Sequence, residues 1–372
     1  MTHYTIEENI LFNGMVNRKE SKMHVIFLPE WRGTNPYQNA LANSLLKENV
    51  EVKFASAIRI LSLLKPQWKP AILHIHWQHP FFLARNKIKT ILKSTLFIGR
   101  LIILKLSGIK IVWTVHNLYS HEERFKAIEL FFSSILARVC DKLIVHTNSA
   151  KQKVEETFKI RRESCIKIIP HGNYIVYYEN VVNKVQARNQ LQLNTEDMIF
   201  LSFGLIRIYK DNPELIEAFR KLNVPRAILL IVGKPPNNEI ADEIREKCDM
   251  DKNIKLVFEF IPDDEIQVYM NAADVVVLPY RDILTSGAVM LAISFGKSVI
   301  APAIGGISDI LDEKGSFLFD PLESNGLVKS MQFALNADLI KMGKHNFQLA
   351  QKFQWSDIGK QTYNVYHECL RR

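Results

Sequence analysis

Two basic residues, Arg207 and Lys210, stand where cations can meet phosphate groups. They follow the apolar run Ile199 to Phe203, which is typical of a strand buried on both faces of a parallel sheet. At the carboxyl end of such a strand, a guanidinium and an ammonium group can bind a diphosphate. Surface loops with two basic residues are also common, so the pair by itself leaves both interpretations open.

A second stretch predicts a helix whose first turn could hold an anion. The apolar run Val275 to Leu278 predicts a buried strand, and Thr285 or Ser286 can cap the helix that follows. Gly287 leaves the first free N–H groups uncovered, so backbone donors and the helix dipole could bind a phosphate. An ordinary capped helix is the alternative, and the basic pair described above favours the phosphate site.

Histidines occur at the ends of two predicted strands. His74 and His76 lie on one strand face, a spacing compatible with a metal ion, but no acidic residue or cysteine is near them in the sequence. We therefore expect no metal site. His116 and Glu122 come after the predicted strand Lys110 to Val115, where open α/β sheets place their ligands. This segment is expected to line a cleft, with a solvated loop as the alternative.

The composition is that of an ordinary globular protein, with 372 residues of which 47% are hydrophobic and 23% charged. A chain of this length exceeds the size at which one hydrophobic core keeps growing, so two domains are expected. The formal net charge of +9 suits an anionic partner such as a nucleotide sugar, a membrane surface or nucleic acid. Nucleic acid is disfavoured because the basic residues form no recognisable binding module.

The cysteines and the apolar runs bear on location. Four cysteines are scattered without a Cys-x-x-Cys pair, which indicates a reducing compartment and disfavours a zinc site. Residues 1 to 20 lack the pattern of a signal peptide, and no run of about 18 uncharged apolar residues predicts a spanning helix. We therefore expect a cytoplasmic protein.

The helical segment after Pro80 combines basic and large apolar residues. Such a helix can lie on an anionic membrane, which would hold the protein at the inner face of the cell membrane. A packed helix whose lysines extend into solvent is the alternative. The residues concerned are Arg85, Lys87, Lys89, Lys93, Arg100 and Lys105 among Phe81, Phe82, Ile88, Ile91, Leu92, Leu96, Phe97 and Ile98.

The order of predicted elements indicates an α/β fold with two doubly wound parallel sheets. The first strand, His24 to Leu28, leads through a loop with Gly33 and Thr34 into a helix that begins at Pro36. A second series of strands and helices starts at Ile199, after a polar segment. Two such domains would face each other across a cleft.

The chain from Met23 to Arg372 resembles the GT-B glycosyltransferases that build bacterial surface polysaccharides. The resemblance is carried by short motifs in a specific order. They are Ile169 to Gly172, Phe203 to Lys210, Leu215 to Phe219, Leu229 to Gly233, Ile261 to Glu265, Ala272 to Arg281, Ser286 with Gly287, Gly296 to Ile300, Phe319 to Pro321, and Phe353 to Lys360. The last of these resembles the helix that crosses back to the first domain in such enzymes.

The resemblance implies a division of labour, because in this family the first domain holds the acceptor and the second holds the nucleotide sugar. No metal ion or cofactor is expected. The implied organisation is an N-terminal extension at 1–22, an acceptor domain at 23–180, a nucleotide-sugar domain at 181–354 and a crossover helix at 355–372. The implied substrate-binding residues are Arg207 and Lys210 for the diphosphate, Ser286 and Gly287 for the diphosphate or donor sugar, Glu259 and Phe260 for the base, and Gly33 and Thr34 in the first loop.

Departures from the family pattern concern the mechanism. Common retaining members carry two glutamates eight positions apart, and Ile283 and Leu291 occupy those places here. The pattern is closer to a subset that includes bacterial β-mannosyltransferases acting on lipid-linked acceptors. We therefore expect inversion at the transferred sugar, with His116 and Glu122 as the candidates for the base that takes the acceptor proton.

The resulting hypothesis is an enzyme that moves a hexose from a UDP- or GDP-sugar, with GDP-mannose among the candidates, to a lipid-linked oligosaccharide. A non-catalytic subunit that keeps the fold and binds a partner glycosyltransferase is the alternative, because the paired glutamates are missing. The phosphate-side residues favour the enzyme, since a scaffold would not need them.

Overall fold

The computed structural model describes residues 22–31, 36–55, 69–120, 124–160 and 165–371. The first six strands, which lie between Met23 and Ile168, form one sheet. They are β1 (Met23–Leu28), β2 (Val50–Phe54), β3 (Ile72–Ile75), β4 (Lys110–Thr114), β5 (Lys142–Val145) and β6 (Ile166–Ile168). The spatial order is β2-β1-β3-β4-β5-β6, and every pairing is parallel.

A second sheet of six strands follows. Its strands are β7 (Met198–Phe203), β8 (Ala227–Val232), β9 (Ile254–Val257), β10 (Val275–Val277), β11 (Ser298–Pro302) and β12 (Ser316–Phe319). They are again parallel, in the order β12-β11-β10-β7-β8-β9. In both sheets the strand order reverses beside the first strand of the series, which is the arrangement that opens a crevice at the carboxyl ends of the strands.

Helices connect the strands. They are α1 (Pro36–Lys47), α2 (His79–Phe82), α3 (Lys87–Leu106), α4 (Lys126–Val139), α5 (Asn148–Phe158), α6 (Lys184–Gln190), α7 (Asn212–Leu222), α8 (Asn238–Cys248), α9 (Ile266–Ala272), α10 (Gly287–Ser294), α11 (Gly305–Ile310), α12 (Gly326–Ala334), α13 (Leu339–Ala350) and α14 (Trp355–Leu370). A short 3-10 turn, Ile208–Lys210, precedes α7.

Both faces of each sheet are buried, which explains why the strands are apolar throughout. In β1, Ile26 and Leu28 belong to one hydrophobic cluster, whereas Val25 and Phe27 belong to another on the opposite face. The second sheet is likewise placed between two clusters. Such strands read as continuous hydrophobic runs because helices cover the sheet on both sides.

The last helix, α14, returns to the first sheet. Its side chains Ile358, Val365 and Tyr366 are buried in the same cluster as Val25 and Phe27 of β1. The predicted GT-B architecture, with two doubly wound sheets and a final helix that crosses back, is therefore confirmed.

Some local predictions differ from the structure. The helix expected after Pro80 is divided into α2 and α3, because the Asn86 side chain accepts a hydrogen bond from Lys89 N at 2.9 Å and begins a new helix. The short strands β6 and β12 were not predicted. The ranges proposed for the extension and the domains stay predictions, and residues 1–21 lie outside the described part of the chain.

Candidate active site

The carboxyl ends of the two sheets face one cleft. Segments that follow β3, β4 and β6 in the first sheet meet segments that follow β7 and β10 in the second. They enclose a cavity of about 180 Å³ lined by Tyr37, Trp77, His116, Asn117, His171, Tyr174, Tyr209, Ile283, Thr285 and Gly287. A larger cavity of about 410 Å³ shares Asn117, Tyr209 and Ile283 with it and extends toward α5.

Hydrogen bonds join the two halves of the cleft. The Tyr119 hydroxyl donates to an Asp282 carboxylate oxygen at 2.7 Å. At the start of α5, the backbone N–H and the hydroxyl of Ser149 donate to the Asp309 carboxylate at 2.7 and 3.0 Å. A carboxylate at a helix N-terminus is stabilised by the free N–H groups and by the helix dipole. These contacts hold the two sheets around the cavity in this conformation.

Lys210 is the predicted diphosphate residue, and it lies at the end of β7 with only 7% of its surface exposed. Its ammonium group contacts the Phe203 carbonyl oxygen at 3.4 Å, and it pairs with no carboxylate among the described residues. Burial, together with the nearby Arg207, lowers the pKa of Lys210 to about 7. A buried cation without an opposite charge is unfavourable in a ligand-free protein and favours an anionic ligand.

The neighbouring residues leave room for this ammonium group. A Cβ at Gly204 would lie 3.1 Å from Lys210 Nζ, and the φ of Gly204 is +100°, which a side chain rarely allows. The next residue, Asp211, is engaged elsewhere, because its carboxylate forms a bidentate pair with Arg281. The Asp211 carboxylate therefore does not neutralise Lys210, which leaves its amino group free to pair with an anionic ligand.

The predicted helix start is also present. Ser286 is the N-cap of α10, and its hydroxyl accepts a hydrogen bond from Val289 N at 3.2 Å. Gly287, the first helical residue, lines the cavity. Lys210 itself does not line this cavity, but the adjacent Tyr209 does, together with Gly287 at the uncovered helix start.

Five histidines are buried in the first half of the chain, and two of them, His116 and His171, line the cavity. The other three are His74, His76 and His146. His146 Nδ1 is 2.8 Å from the Ile169 carbonyl oxygen, which can only accept, so Nδ1 carries the ring hydrogen. His146 Nε2 then accepts from His116 Nδ1 at 3.3 Å, and His116 Nε2 accepts from His76 Nδ1 at 3.4 Å. One backbone carbonyl therefore sets the tautomers of three neutral rings.

Burial keeps these rings neutral. It lowers the pKa of His146 to about 4 and that of His74 to about 3, and it also lowers the pKa of His116 well below its ordinary value. His116 lies in the cleft as predicted, with its ring stacked on Trp77 at 4.5 Å. Both of its nitrogens are hydrogen-bonded to other histidines in this conformation. An acceptor hydroxyl would have to replace one of these bonds.

The structure also bears on the metal question. The nitrogens of His74 are hydrogen-bonded to the Tyr366 hydroxyl and to Thr114 Oγ1, both at 2.7 Å, rather than directed at an open site. The described ranges contain no group of three or more histidine, cysteine, aspartate or glutamate side chains placed to hold a metal ion.

A buried carboxylate positions the segment after His116. Glu129 on α4 is fully buried, and its two oxygens accept hydrogen bonds from Ser120 N at 2.9 and 3.0 Å. Burial raises the pKa of Glu129, and the bonds from Ser120 oppose this effect. The cleft segment at 116–120 is thus fixed by α4 beneath it.

Apart from His116 and Gly287, the predicted residues that the structure describes do not line the cavities described above, and these include Arg207, Ser286 and Lys210. Glu259 and Phe260 follow β9 and are exposed, with Phe260 53% accessible, and neither lines the cavities described above. Glu122, Gly33 and Thr34 lie outside the described residues. All of these assignments stay predictions.

Sequence reasoning gave no role to two cavity residues, His171 and Tyr174. His171 belongs to the motif Ile169 to Gly172, which contributed to the resemblance without a functional assignment. Both side chains approach Gly287 in the folded protein, 113 to 116 positions further along the chain. No local pattern predicts a contact between segments so far apart.

Two family models match successive parts of the chain. The model of Glycosyltransferase Family 4 matches residues 22–173, and that of Glycosyl transferases group 1 matches residues 183–350. Among curated proteins, the chain is similar to a GDP-mannose:glycolipid 4-beta-D-mannosyltransferase of Xanthomonas campestris pv. campestris. The identity is 26% over 344 residues, which cover 91% of this chain and 89% of that protein. It also resembles a D-inositol 3-phosphate glycosyltransferase of Corynebacterium aurimucosum, with 20% identity over 70% of this chain and 67% of that one.

Solved structures share the fold. A sucrose-phosphate synthase from Thermosynechococcus elongatus superimposes with a TM-score of 0.75 and 17% identity over 93% of this chain and 98% of that chain. Anabaena Alr3699/HepE, in complex with UDP and glucose, superimposes with a TM-score of 0.71 and 16% identity over 93% and 100%. The two parallel sheets and the two family models, which match successive halves of the chain, identify the chain as a glycosyltransferase of the GT-B fold.

Proposed function

We propose that this glycosyltransferase moves a hexose from a nucleoside diphosphate sugar to a lipid-linked oligosaccharide, with GDP-mannose as the first donor candidate. The observation that carries the proposal is Lys210, a buried ammonium group without a carboxylate partner in the described structure. Its neighbour Tyr209 lines the same cavity as Gly287 at the start of α10. The donor and acceptor are suggested by the Xanthomonas relative, whose name specifies GDP-mannose and a glycolipid.

The chemistry depends on the leaving group. As the bond between sugar and phosphate breaks, negative charge develops on the nucleoside diphosphate. Lys210, Arg207 and the backbone N–H groups at the start of α10 would stabilise that charge as fixed donors. Since these donors belong to the protein, they could act without a metal ion.

We further propose that the reaction inverts the transferred sugar. Ile283 and Leu291, which stand where retaining relatives have glutamates, are buried apolar residues with 8% and 7% exposure. A β-mannoside formed from the α-linked sugar of GDP-mannose would also require inversion. Inversion in a single displacement needs a base that takes the proton of the acceptor hydroxyl. His116 and Glu122 remain the candidates for this base. NMR of the product linkage would contradict the proposal if the donor configuration were retained.

Donor hydrolysis is the direct test of activity. The purified protein should release GDP or UDP from one member of a panel of GDP- and UDP-sugars, and added glycolipid acceptor should accelerate the release. A folded protein that binds none of these donors would contradict the enzymatic proposal. The alternative is a non-catalytic subunit, which the apolar residues at the two glutamate positions favour. Binding of nucleotide sugars without turnover or transfer would support it.

A lipid acceptor requires access to a membrane, and α3 offers a suitable surface. No helix in the described part of the chain is long and apolar enough to cross a bilayer. The sequence of α3 contains five basic residues and no acidic ones. At about 100° of rotation per residue, its exposed aliphatic residues fall on one face of the helix, over a length of about 27 Å. They are Ile88, Ile91, Leu92, Leu96, Ile102, Ile103 and Leu106.

We propose that this face of α3 lies on an anionic lipid bilayer. Each basic residue near such a surface contributes about 1 kcal/mol, and the contribution is screened by salt. In liposome flotation, the protein should bind vesicles that contain phosphatidylglycerol and should bind less as salt is raised. The exchange of both Leu92 and Leu96 for glutamate should abolish binding. Leu322→Glu, at a site 92% exposed on the second half of the chain, is the matched control. Equal binding of neutral and anionic vesicles would contradict the proposal.

A further inference from the structure

Two polar atoms from the first half of the cleft approach one point above α10. A Cβ built on Gly287 would lie 3.6 Å from the Tyr174 hydroxyl and 3.9 Å from His171 Nε2. Because Gly287 has no Cβ, this point is open to the cavity. A ligand oxygen placed near it could contact both atoms and would also be close to the first free N–H groups of the helix.

His171 presents a hydrogen-bond acceptor at this point. Its Nδ1 is 2.8 Å from the Gly172 carbonyl oxygen, so Nδ1 carries the ring hydrogen and donates it there. Burial and the neighbouring His146 lower the pKa of His171 to about 3, which leaves the ring neutral. Nε2 therefore holds a lone pair, and among the described residues it has no hydrogen-bond partner.

Tyr174 presents a donor. Burial raises the pKa of its hydroxyl, so the hydrogen is retained at all physiological pH values. Within the described ranges this hydroxyl also has no hydrogen-bond partner. His171 and Tyr174 are 8% and 6% exposed. Both atoms are open to the cavity and have no partner among the described residues, so a ligand there can meet an acceptor and a donor side by side.

Both rings are held in place. His171 packs against Tyr37 and Trp355, with ring centroids 5.0 and 6.2 Å away. The backbone N–H of Tyr174 donates to the Ser294 hydroxyl on α10 at 2.9 Å. The donor and acceptor are thus preorganised relative to Gly287, which lowers the ordering cost of binding.

The chemistry of the pair identifies the ligand group. A phosphate oxygen only accepts, so it would be repelled by the lone pair of His171. A sugar hydroxyl can donate to His171 Nε2 while its oxygen accepts from the Tyr174 hydroxyl. The cavity of about 180 Å³ is smaller than the roughly 300 Å³ at which pockets for drug-sized ligands begin, and this suits one sugar ring.

We propose that His171 and Tyr174 form a subsite that binds one hydroxyl group of the transferred sugar and selects donors that carry it. This inference rests on the proposed function, because it takes the ligand at α10 to be a nucleotide sugar. It adds two specificity-determining residues that belong to the segment between the sheets rather than to the nucleotide-binding loops.

The test compares nucleotide and nucleotide sugar. Tyr174→Phe removes a single oxygen atom and keeps the ring packing. By calorimetry it should weaken binding of GDP-mannose about 10- to 100-fold while leaving the affinity for GDP unchanged. Tyr177→Phe, on a neighbouring half-buried ring, should alter neither affinity. His171→Asn should resemble Tyr174→Phe, with melting curves to show that each variant is folded.

Deoxy donors identify the hydroxyl. One monodeoxy derivative of GDP-mannose should bind the wild-type protein 10- to 100-fold more weakly than GDP-mannose does. The Tyr174→Phe variant should then bind that derivative about as tightly as it binds GDP-mannose, because the hydrogen bond is already absent. Equal weakening of GDP and GDP-mannose by Tyr174→Phe, or no weakening of either, would overturn the subsite. If the wild-type protein binds GDP-mannose but does not turn it over, the catalytic proposal fails. The affinities of the variants for GDP and GDP-mannose would still show whether His171 and Tyr174 bind the sugar.

Discussion

Lys210→Met is expected to make the ligand-free protein more stable and less active. Burial lowers the pKa of Lys210 from 10.5 to about 7, so the folded state disfavours the charged form that the unfolded chain carries freely. The difference corresponds to a cost of at most about 5 kcal/mol in the free energy of unfolding. Methionine fills a similar volume without the charge, so several kcal/mol of this cost should be recovered near neutral pH.

The pH dependence follows from the sign of the shift. Below pH 7 both states are protonated, and the full cost is present. Between about pH 7 and 10.5 only the unfolded state holds the proton, so the stability of the wild-type protein rises with pH. The advantage of Lys210→Met should therefore be largest at pH 6 and should shrink toward pH 10. Denaturant unfolding at pH 6, 8 and 10 measures it.

Activity should change in the opposite direction. Loss of one preorganised electrostatic donor typically lowers turnover about 100- to 1,000-fold, or roughly 3 to 4 kcal/mol. Lys221→Met is the matched control, because Lys221 is an exposed lysine on α7 and its Nζ contacts only the Asn325 side chain, at 3.4 Å. Unchanged turnover in folded Lys210→Met would refute the diphosphate assignment. A stability difference that does not vary between pH 6 and 10 would refute the role of the buried charge.

Three further substitutions test individual contacts. Gly172→Ala should lower the free energy of unfolding by more than about 2 kcal/mol in urea titrations, since a Cβ there would overlap the Trp355 ring; wild-type stability would contradict the packing. Tyr366→Phe should cost about 1 to 3 kcal/mol, because it leaves His74 Nδ1 buried without its partner, and thermal melts that match the wild type would argue against this bond. Ser286→Ala should lower stability by about 1 kcal/mol and donor turnover by no more than about tenfold, because the backbone donors remain; a larger loss of turnover would assign the hydroxyl itself to the ligand.

The sequence predicted the strands well where burial on both faces makes them continuously apolar. The run Val275 to Leu278 is an example, since tertiary packing and local pattern agree there. The three residues of β6, Ile166–Ile168, carry too little pattern to be recognised, because Lys167 interrupts the apolar run. Short edge strands of this kind are defined by the neighbour they pair with rather than by their own residues.

The helix start and the loop that we propose for the phosphate groups could be located from the sequence because each depends on residues close in sequence. Ser286 and Gly287 form the cap and first turn of one helix, and Lys210 closes one strand-to-helix loop. The acceptor side depends on contacts between distant segments. The tautomer of His116, for example, is set through His146 by a backbone carbonyl group on another loop. No spacing in the sequence indicates such a series of hydrogen bonds.

The segment that carries His171 and Tyr174 follows β6 of the first sheet and is also hydrogen-bonded to the second half of the chain. Asn173 is hydrogen-bonded through its backbone N–H to Phe353 O at 2.9 Å and through its side chain to Ala350 O at 3.0 Å. The indole N–H of Trp355, at the start of α14, donates to Asn173 O at 2.7 Å. If the cleft opens by rotation of one sheet relative to the other, the part of this segment from Asn173 onward should therefore move with α10.

Opening would then move His116 away from α10 while Tyr174 stayed beside that helix. His116 is attached to the first sheet through β4 and through its bonds to His76 and His146, so it would move away from Gly287. Tyr174 would stay beside α10, because its backbone is bonded to that helix. The donor sugar could thus be selected in the open state, whereas the acceptor-side histidines would approach it only on closure. Such an order brings the acceptor-side groups to the donor only as closure excludes water from the site.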